Sequence, residues 1–126
     1  MNDRRLRRLE EQIKERIALV VLRDLQDPRL GFLTITRVEL DRELEHCNVY
    51  WSVLGDEAAR RLQQQMLDHA NKFVRHEVAA ILRTRTVPRL HFVFDERVEG
   101  ALRVQKLIDK LKAERATHDP EAKKPE

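Results

Sequence analysis

The chain has little of what disulfide-bonded proteins and phosphate-loop enzymes are built from. Its 126 residues contain one cysteine, Cys47, and three glycines. A single cysteine excludes an internal disulfide and a cysteine-rich zinc site. The glycines, Gly31, Gly55 and Gly100, are scattered, so the sequence has no glycine-rich loop for cradling phosphates. Cys47 lies in a strand-like run, and we expect a buried or half-buried thiol there rather than a nucleophile.

Long apolar segments are also absent. No run approaches the roughly 20 apolar residues that a membrane span requires, and the N-terminus has no apolar signal core. We therefore expect a cytoplasmic protein in a reducing compartment, with no membrane partner. Hydrophobic residues make up 41% of the chain but aromatic residues only 5%, so leucine, valine and isoleucine must fill most of the core. At this length the chain is predicted to form one domain.

No arrangement of side chains in the sequence indicates catalysis. Ser52 is the sole serine and has no nearby histidine and aspartate partners. His69 and His76 are spaced to share a helix face, but no third ligand follows at metal-binding spacing. The Asp95-Glu96 pair fits a turn or a helix cap better than an acid–base pair. We therefore predict no catalytic residues, no metal, no cofactor and no small-molecule substrate; the chain is not expected to be an enzyme.

What the chain does have is charge, and the charge is unevenly distributed. Residues 70–91 carry a local charge of +4, more than the +3 of the whole chain, whereas residues 39–57 carry −5. The only acid in the basic segment is Glu77, which we expect to pair with its neighbours Arg75, His76 or Arg83. A rigid element with one cationic side is what a protein needs to hold a phosphate backbone. The alternative is an evenly solvated surface.

Apolar spacing and turn residues predict the order of elements. Positions spaced by three and four predict a first helix that is capped by Asn2 or Asp3 and ends near Leu25. Segments rich in β-branched residues predict strands at 32–40, 46–54 and 87–94. The apolar phase shifts between Ile35 and Val38, which indicates a bulge. Trp51 is expected to anchor the core, with base stacking as the alternative.

The region between the second and third strands is predicted to be helical from a cap at Asp56. Its two apolar stripes do not join smoothly. One long helix over 56–84 is possible, but two helices that meet at a bend near His69 to Lys72 serve both stripes better. A last helix is expected over 98–111, followed by a polar, disordered tail over 112–126. The prediction is an α+β fold in the order α–β–β–α–α–β, with helices on one face of a three-stranded sheet and a domain over 1–111.

This order of elements is that of a type II KH domain, although the GxxG loop of KH domains is missing. An ordered set of segments resembles the ribosome-binding factor A family over about residues 4–110. The segments are 25–40 (LQDPRLGFLTITRVEL), 49–55 (VYWSVLG), 73–82 (FVRHEVAAIL), 85–95 (RTVPRLHFVFD), and Gly100 followed by Leu107-Ile108. The family's Ala-x-Gly bend reads Ala70-Asn71-Lys72 here. Asn71 is expected to allow an unusual backbone angle, and Lys72 adds charge at the bend.

The resemblance implies a non-enzymatic, monomeric assembly factor for the small (30S) ribosomal subunit. Such a factor binds 16S rRNA near the decoding region, supports late maturation and 5′-end processing, and matters most in the cold. The alternative is a protein-interaction module that docks a basic helix on an acidic partner. The Asp27-Pro28-Arg29 turn is expected to fix the first helix against the sheet, rather than to contact RNA. The predicted RNA-binding residues are Lys72, Arg75, Arg83, Arg85, Arg89, Arg4, Arg5, Arg7 and Arg8.

Overall fold

The computed structural model describes residues 2–97 and 107–113, which fall into two units, residues 1–95 and 96–126. In the first unit, helix α1 is followed by a π-helical turn and a short 3-10 helix, two strands, helix α2 and a third strand. The bounds are α1 Asp3–Val20, the π turn Val21–Leu25, the 3-10 helix Pro28–Leu30, β1 Phe32–Leu40, β2 His46–Leu54, α2 Glu57–Ile81 and β3 Arg89–Phe94. In the second unit, the described residues 96–97 and 107–113 are helical.

The three strands form one mixed sheet in the order β1-β2-β3. Strand β1 runs antiparallel to β2, and β3 runs parallel to β2 with His46 opposite Arg89. The pairing of β1 with β2 shifts register between Ile35 and Arg37, which confirms the predicted bulge. Helices α1 and α2 cover one face of the sheet, because alternate residues of each strand are buried beneath them. The predicted α+β class with KH-like topology is confirmed.

The core lies between the sheet and the two helices, and Trp51 is at its centre. The Trp51 side chain is 0% exposed and meets the Phe94 ring edge-on, with 5.1 Å between ring centroids. Its Nε1 donates to Oε1 of Gln64 at 3.0 Å, which satisfies the buried indole. Trp51 is therefore the core anchor that the sequence predicted, and it is not available to stack on a base. Aliphatic side chains supply most of the rest of the core, as the composition required.

The expectation of two helices with a bend at His69 to Lys72 is wrong, because α2 is one helix that continues through this segment. Among the described residues, Leu44 is the only non-glycine with a positive φ, so Asn71 keeps a helical backbone. The physical reason lies in the Asn71 side chain, whose Nδ2 donates to the Leu90 carbonyl at 2.9 Å. A polar residue that the sequence placed outside the apolar stripes in fact faces the sheet.

Side chains from α2 and from Gln26, which follows the π turn, cap the two open edges of the sheet. On β3, Gln64 and Asn71 of α2 donate to the carbonyls of Phe92 and Leu90 at 2.9 Å each. On β1, the Gln26 amide donates to the Leu33 carbonyl at 2.6 Å and accepts from its N–H at 3.2 Å. These contacts satisfy backbone groups that would otherwise invite pairing with another strand. We call them the edge caps.

Both helix starts follow the predicted capping chemistry, and Gly31 is required by its backbone conformation. Asn2 caps α1 by accepting from the Arg5 N–H at 2.8 Å, and Asp56 caps α2 by accepting from the Ala59 N–H at 2.9 Å. Gly31 has φ +87°, and a Cβ there would lie 2.4 Å from the Leu54 carbonyl oxygen. This junction between α1 and β1 therefore requires glycine.

Some predicted boundaries differ from the structure or lie outside it. The third strand begins at Arg89 and not at Val87. Of the helix predicted over 98–111, residues 98–106 lie outside the described residues, and 107–111 are helical. Within the predicted tail, Lys112 and Ala113 continue that helix, and residues 114–126 lie outside the described residues. The division at residue 111 stays a prediction.

The buried Cys47 thiol predicts a component of the alkaline pH dependence of stability. Cys47 is 0% exposed, and burial, assisted by the nearby Glu10 and Asp41 carboxylates, raises its pKa from 9.0 to about 12. The thiol ionises in the unfolded chain before it does so in the fold, so its stabilising contribution is full below pH 9 and declines between pH 9 and 12. We expect the free energy of unfolding to fall between pH 8 and 10 by about 1 kcal/mol more than in Cys47→Ala.

Urea denaturation of both proteins at the two pH values measures this difference. Equal losses in wild type and Cys47→Ala would show that the thiol is not held neutral by the fold.

Candidate nucleic-acid interface

The predicted cationic residues gather toward one end of the first unit. We call this the hairpin end; it comprises the β1–β2 turn (residues 41–45), the loop 82–88 and the first residues of β3. The Arg89 N–H donates to the Glu45 carbonyl at 2.8 Å, which joins the start of β3 to the turn. The first turns of α1 lie there too, because Glu10 accepts from the Leu40 N–H at 2.8 Å and Asp3 pairs with Arg42.

All nine predicted residues have exposed side chains. Within residues 2–97 and 107–113, none of the nine forms an ion pair with a carboxylate. Five other arginines do form such pairs, and they are Arg16, Arg23, Arg29, Arg37 and Arg42. The cations of the hairpin end are therefore not neutralised by the described part of the protein, and a bound anion would not have to displace an internal carboxylate.

The structure brings the nine residues to one end but not all to one plane. Arg75 and Arg89 line the same cleft, and Arg83 and Arg85 lie in the adjoining loop. Lys72 is one helical turn before Arg75 on α2. The four N-terminal arginines of α1 point around the helix, because successive residues are rotated by about 100°. The N-terminal arginines therefore spread positive charge around α1 and do not form a flat surface.

Arg75 is the most firmly positioned of these cations. Its Nη2 donates to the Val87 carbonyl at 2.8 Å, and its Nε donates to the Pro88 carbonyl at 3.2 Å. These bonds also extend the edge caps, because the carbonyl of Pro88, directly before β3, continues the two-residue spacing of the Leu90 and Phe92 carbonyls. A guanidinium held in this way loses little further freedom when its remaining N–H groups bind an anion. Arg75 thus has both a structural and a potential binding role.

The expected pairing of Glu77 with Arg75, His76 or Arg83 is wrong. Glu77 accepts instead from Arg16 of α1 at 3.1 Å and from Arg23 of the π turn at 3.2 Å, and its side chain is only 18% exposed. The reason is helical geometry: the side of α2 that carries Glu77 packs against α1, whereas Arg75 lies about 200° further round the helix. Glu77, the one acid of the basic segment, therefore does not neutralise the cations of that segment, and the hairpin end keeps its positive charge.

The Asp27-Pro28-Arg29 turn is held by contacts of its own, and its predicted role of fixing the first helix against the sheet stays a prediction. Asp27 accepts from the Arg29 N–H at 3.0 Å and pairs with the Arg29 guanidinium, which lowers the pKa of the Asp27 carboxyl. Directly after it, the carbonyls of Leu30 and Gly31 accept from Nε2 of Gln63, at 3.1 Å each. The turn fixes the junction of α1 and β1 against α2, at the opposite end from the hairpin.

The remaining candidates do not form a catalytic or metal site. His69 and His76 are exposed, and no group of three or more histidine, cysteine, aspartate or glutamate side chains in the described residues is arranged to hold a metal ion. Asp95 is 2% exposed, accepts from Thr36 Oγ1 at 2.6 Å and directly precedes the helical Glu96. These contacts indicate a structural role for Asp95 rather than a role as one member of an acid–base pair.

The structure also shows a cleft whose lining includes residues that the sequence did not single out. Glu45, His46 and Thr86 line a cleft of about 450 Å³ together with Arg75 and Arg89. No local sequence pattern marks this cleft, because the parallel pairing of β3 with β2 brings its walls together from three separate segments. The sequence carried one signal for this cleft, because the cation Arg89 lies near the start of the strand predicted over 87–94.

These features define the class of the protein: a small KH-like α+β protein whose exposed cations collect at one end. In the part of the chain that the structure describes, no helix is long and apolar enough to cross a membrane.

Comparison with known proteins gives the family. The family model named Ribosome-binding factor A matches residues 5–108. The ribosome-binding factor A of Neisseria meningitidis serogroup A is 38% identical over 112 residues, which cover 89% of this chain and 90% of that protein. The corresponding protein of Thermodesulfovibrio yellowstonii is 40% identical over 109 residues, covering 86% and 92%. The chain belongs to the ribosome-binding factor A family.

Solved structures agree with this assignment. The crystal structure of ribosome-binding factor A from Thermus thermophilus matches with a TM-score of 0.60 and 29% identity, covering 71% of this chain and 93% of that one. A Thermus thermophilus model fitted into an electron cryo-microscopy map of a 30S–RbfA complex matches with a TM-score of 0.57 and 30% identity, covering 68% and 89%. The family consists of non-enzymatic ribosome assembly factors, so the chain is not an enzyme, as the sequence predicted.

Glu77→Gln tests whether the α1–α2 ion pairs hold the helices together. The variant keeps the size of the side chain but removes the charge that Arg16 and Arg23 share. We expect the free energy of unfolding to fall by about 1 kcal/mol, because Glu77 and Arg16 are mostly shielded from solvent. Glu15→Gln, on the exposed side of α1, is the matched control and should change little. Equal stability of the two variants in urea titrations would show that the pairs contribute nothing.

Proposed function

We propose that this protein binds the small ribosomal subunit during its assembly and holds 16S rRNA with the cations of the hairpin end. Family membership supports the choice of partner, since a relative from Thermus thermophilus has been fitted into a map of a 30S complex. The observation that carries the proposal for this surface is the collection of nine exposed cations that have no carboxylate partner among the described residues. Such a surface attracts the most highly charged polyanion available to it.

In this proposal the cations contact phosphates and position the protein. Lys72, Arg83 and Arg85 contact the backbone, Arg75 and Arg89 extend the contact onto β3, and the N-terminal arginines of α1 reach a neighbouring stretch. Phosphate contacts carry no base information, so recognition of the site comes mainly from the shape of the folded RNA. Because the affinity comes from contacts with phosphates, it should fall steeply as the salt concentration rises.

We further propose that binding supports the late maturation of the subunit, including processing of the 5′ end of 16S rRNA, in the cytoplasm and as a monomer. Cells that lack the protein are then expected to accumulate 16S precursors with an unprocessed 5′ end, most of all in the cold. Primer extension on RNA from purified small subunits measures this. A fully mature 5′ end in such cells at low temperature would contradict the processing role but leave the binding role standing.

The second candidate is a protein-interaction module whose basic surface docks on an acidic partner. The same cations serve both functions, so nuclease treatment separates them. If the protein binds the particle through RNA, digestion of the rRNA releases it. Retention on the remaining proteins after digestion would favour an acidic protein partner.

The double variant Arg83→Gln/Arg85→Gln tests the surface. Both side chains are exposed in the loop 82–88, and their guanidinium groups form no hydrogen bond within residues 2–97 and 107–113, so the variant should fold like wild type. We expect it to bind small-subunit precursors more weakly, and the slope of log K against log salt to decrease by roughly 0.7 to 0.9 for each lost contact. Arg75 is left unchanged because it holds the carbonyls of Val87 and Pro88.

The single variant Arg61→Gln, compared with Arg83→Gln alone, is the matched control, because each removes one charge from an exposed residue that forms no ion pair among the described residues. Arg61 lies near the start of α2, at the opposite end of the unit. Sedimentation with precursor particles over a range of salt concentrations compares the two. Equal weakening by both variants would mean that overall charge, and not the hairpin end, governs binding.

A further inference from the structure

We propose that the cleft at the hairpin end seats one unpaired nucleotide of the bound RNA, with the phosphate on the arginines and the base against Glu45. The inference rests on the proposed RNA-binding function and adds a base-reading pocket to it. The cleft has a volume of about 450 Å³, within the range of pockets that hold small ligands. It is lined by Leu44, Glu45, His46, Arg75, Thr86, Val87 and Arg89.

The phosphate side of the cleft is formed by Arg75 and Arg89. Arg75 is oriented by the carbonyls of Val87 and Pro88 and still has N–H groups to donate. Arg89 is exposed, and in the described residues it forms no ion pair. Two guanidinium groups on one cleft suit a phosphate, which can accept forked hydrogen bonds from each.

The base side of the cleft is formed by Glu45 with apolar neighbours. The Glu45 side chain has no hydrogen-bond or ion-pair partner among the described residues, although two arginines line the same cleft. Half-buried Leu44 and Val87 offer a surface for a flat base. A carboxylate only accepts hydrogen bonds, so it selects bases whose exposed edge donates. Guanine presents two adjacent donors on its Watson–Crick edge, N1–H and N2–H, and matches a carboxylate best.

The walls of the cleft are already fixed without a ligand. Asp41 Oδ1 accepts from the N–H groups of Glu45 at 2.7 Å and His46 at 3.1 Å, which holds the turn. The His46 ring is in turn fixed by His91, with 3.0 Å between Nδ1 of His46 and Nε2 of His91. The Glu45 carbonyl is bonded to the Arg89 N–H, so its side chain is the free part of the residue. A pocket that is ordered before binding keeps more of its interaction energy for the ligand.

Glu45→Gln separates this proposal from general charge attraction. If only charge matters, removing an acid beside two arginines strengthens RNA binding. If Glu45 accepts from a base, the same change weakens binding, because the amide nitrogen donates where the base also donates. Glu43→Gln is the matched control: it removes the same charge from an exposed residue in the same turn that does not line the cleft.

The probes are two fluorescent octaribonucleotides, UUUGUUUU and UUUUUUUU, titrated with the full-length chain and followed by anisotropy. We expect wild type and Glu43→Gln to bind the guanosine-containing RNA at least about fivefold more tightly, and Glu45→Gln to lose this preference. The pocket is wrong if Glu45→Gln and Glu43→Gln strengthen RNA binding equally and wild type shows no preference for guanosine. In that case wild type should still bind small-subunit precursors. Failure of wild type to bind those precursors would instead reject the proposed function.

Discussion

The contact between α2 and the open edge of β3 is the constraint on which the rest of this structure depends. A third strand that pairs on only one side leaves a row of carbonyls without partners. Gln64, Asn71 and Arg75 satisfy three of them in succession, at Phe92, Leu90 and Pro88. The helix must remain unbroken from Gln64 to Arg75 for these side chains to match the two-residue repeat of the strand. Arg75, the last of these three side chains, also lines the cleft. The contact that packs α2 against β3 therefore also orients the most firmly held cation.

Two groups of arginines in the described residues have different physical roles. One group is bonded to carboxylates, and within it Arg16 of α1 and Arg23 of the π turn join the first helical segment to Glu77 of α2. The other group collects at the hairpin end and, in the described residues, has no carboxylate partner. Internal pairing of the first group removes its charge from the surface, and it takes Glu77 away from the second group. The modest net charge of +3 therefore hides a locally strong cationic surface.

Most of the fold was predictable from the sequence because its signals are local. Strands β1 and β2 have the predicted bounds, since β-branched runs end at turn residues, and the caps at Asn2 and Asp56 follow from side chains that can accept from the first helical N–H groups. The bend in α2 was wrongly predicted because the first apolar stripe was taken to be buried. Leu62 and Phe73 of that stripe are exposed, and the buried residues Gln63, Leu67, Val74 and Val78 form one continuous face of a single helix.

The partner of Glu77 and the cleft could not be predicted, because both depend on contacts between distant segments. Glu77 meets Arg16 across 61 residues of sequence. The cleft joins the β1–β2 turn, the middle of α2 and the residues before β3. The cations themselves could be named from the sequence, since unpaired charge tends to remain at the surface, but their grouping required the topology.

The parallel pairing of β3 with β2 has a consequence for the order in which the protein is made. Residues 41–46 leave the ribosome early, yet the strand that completes their sheet lies more than 40 residues later, beyond the whole of α2. Non-local pairing of this kind forms only after the intervening chain is available. A nascent or truncated chain that stops before Arg89 would carry most of the arginines but not the strand that brings them together. Synthesis itself thus delays the assembly of the hairpin end until the domain is almost complete.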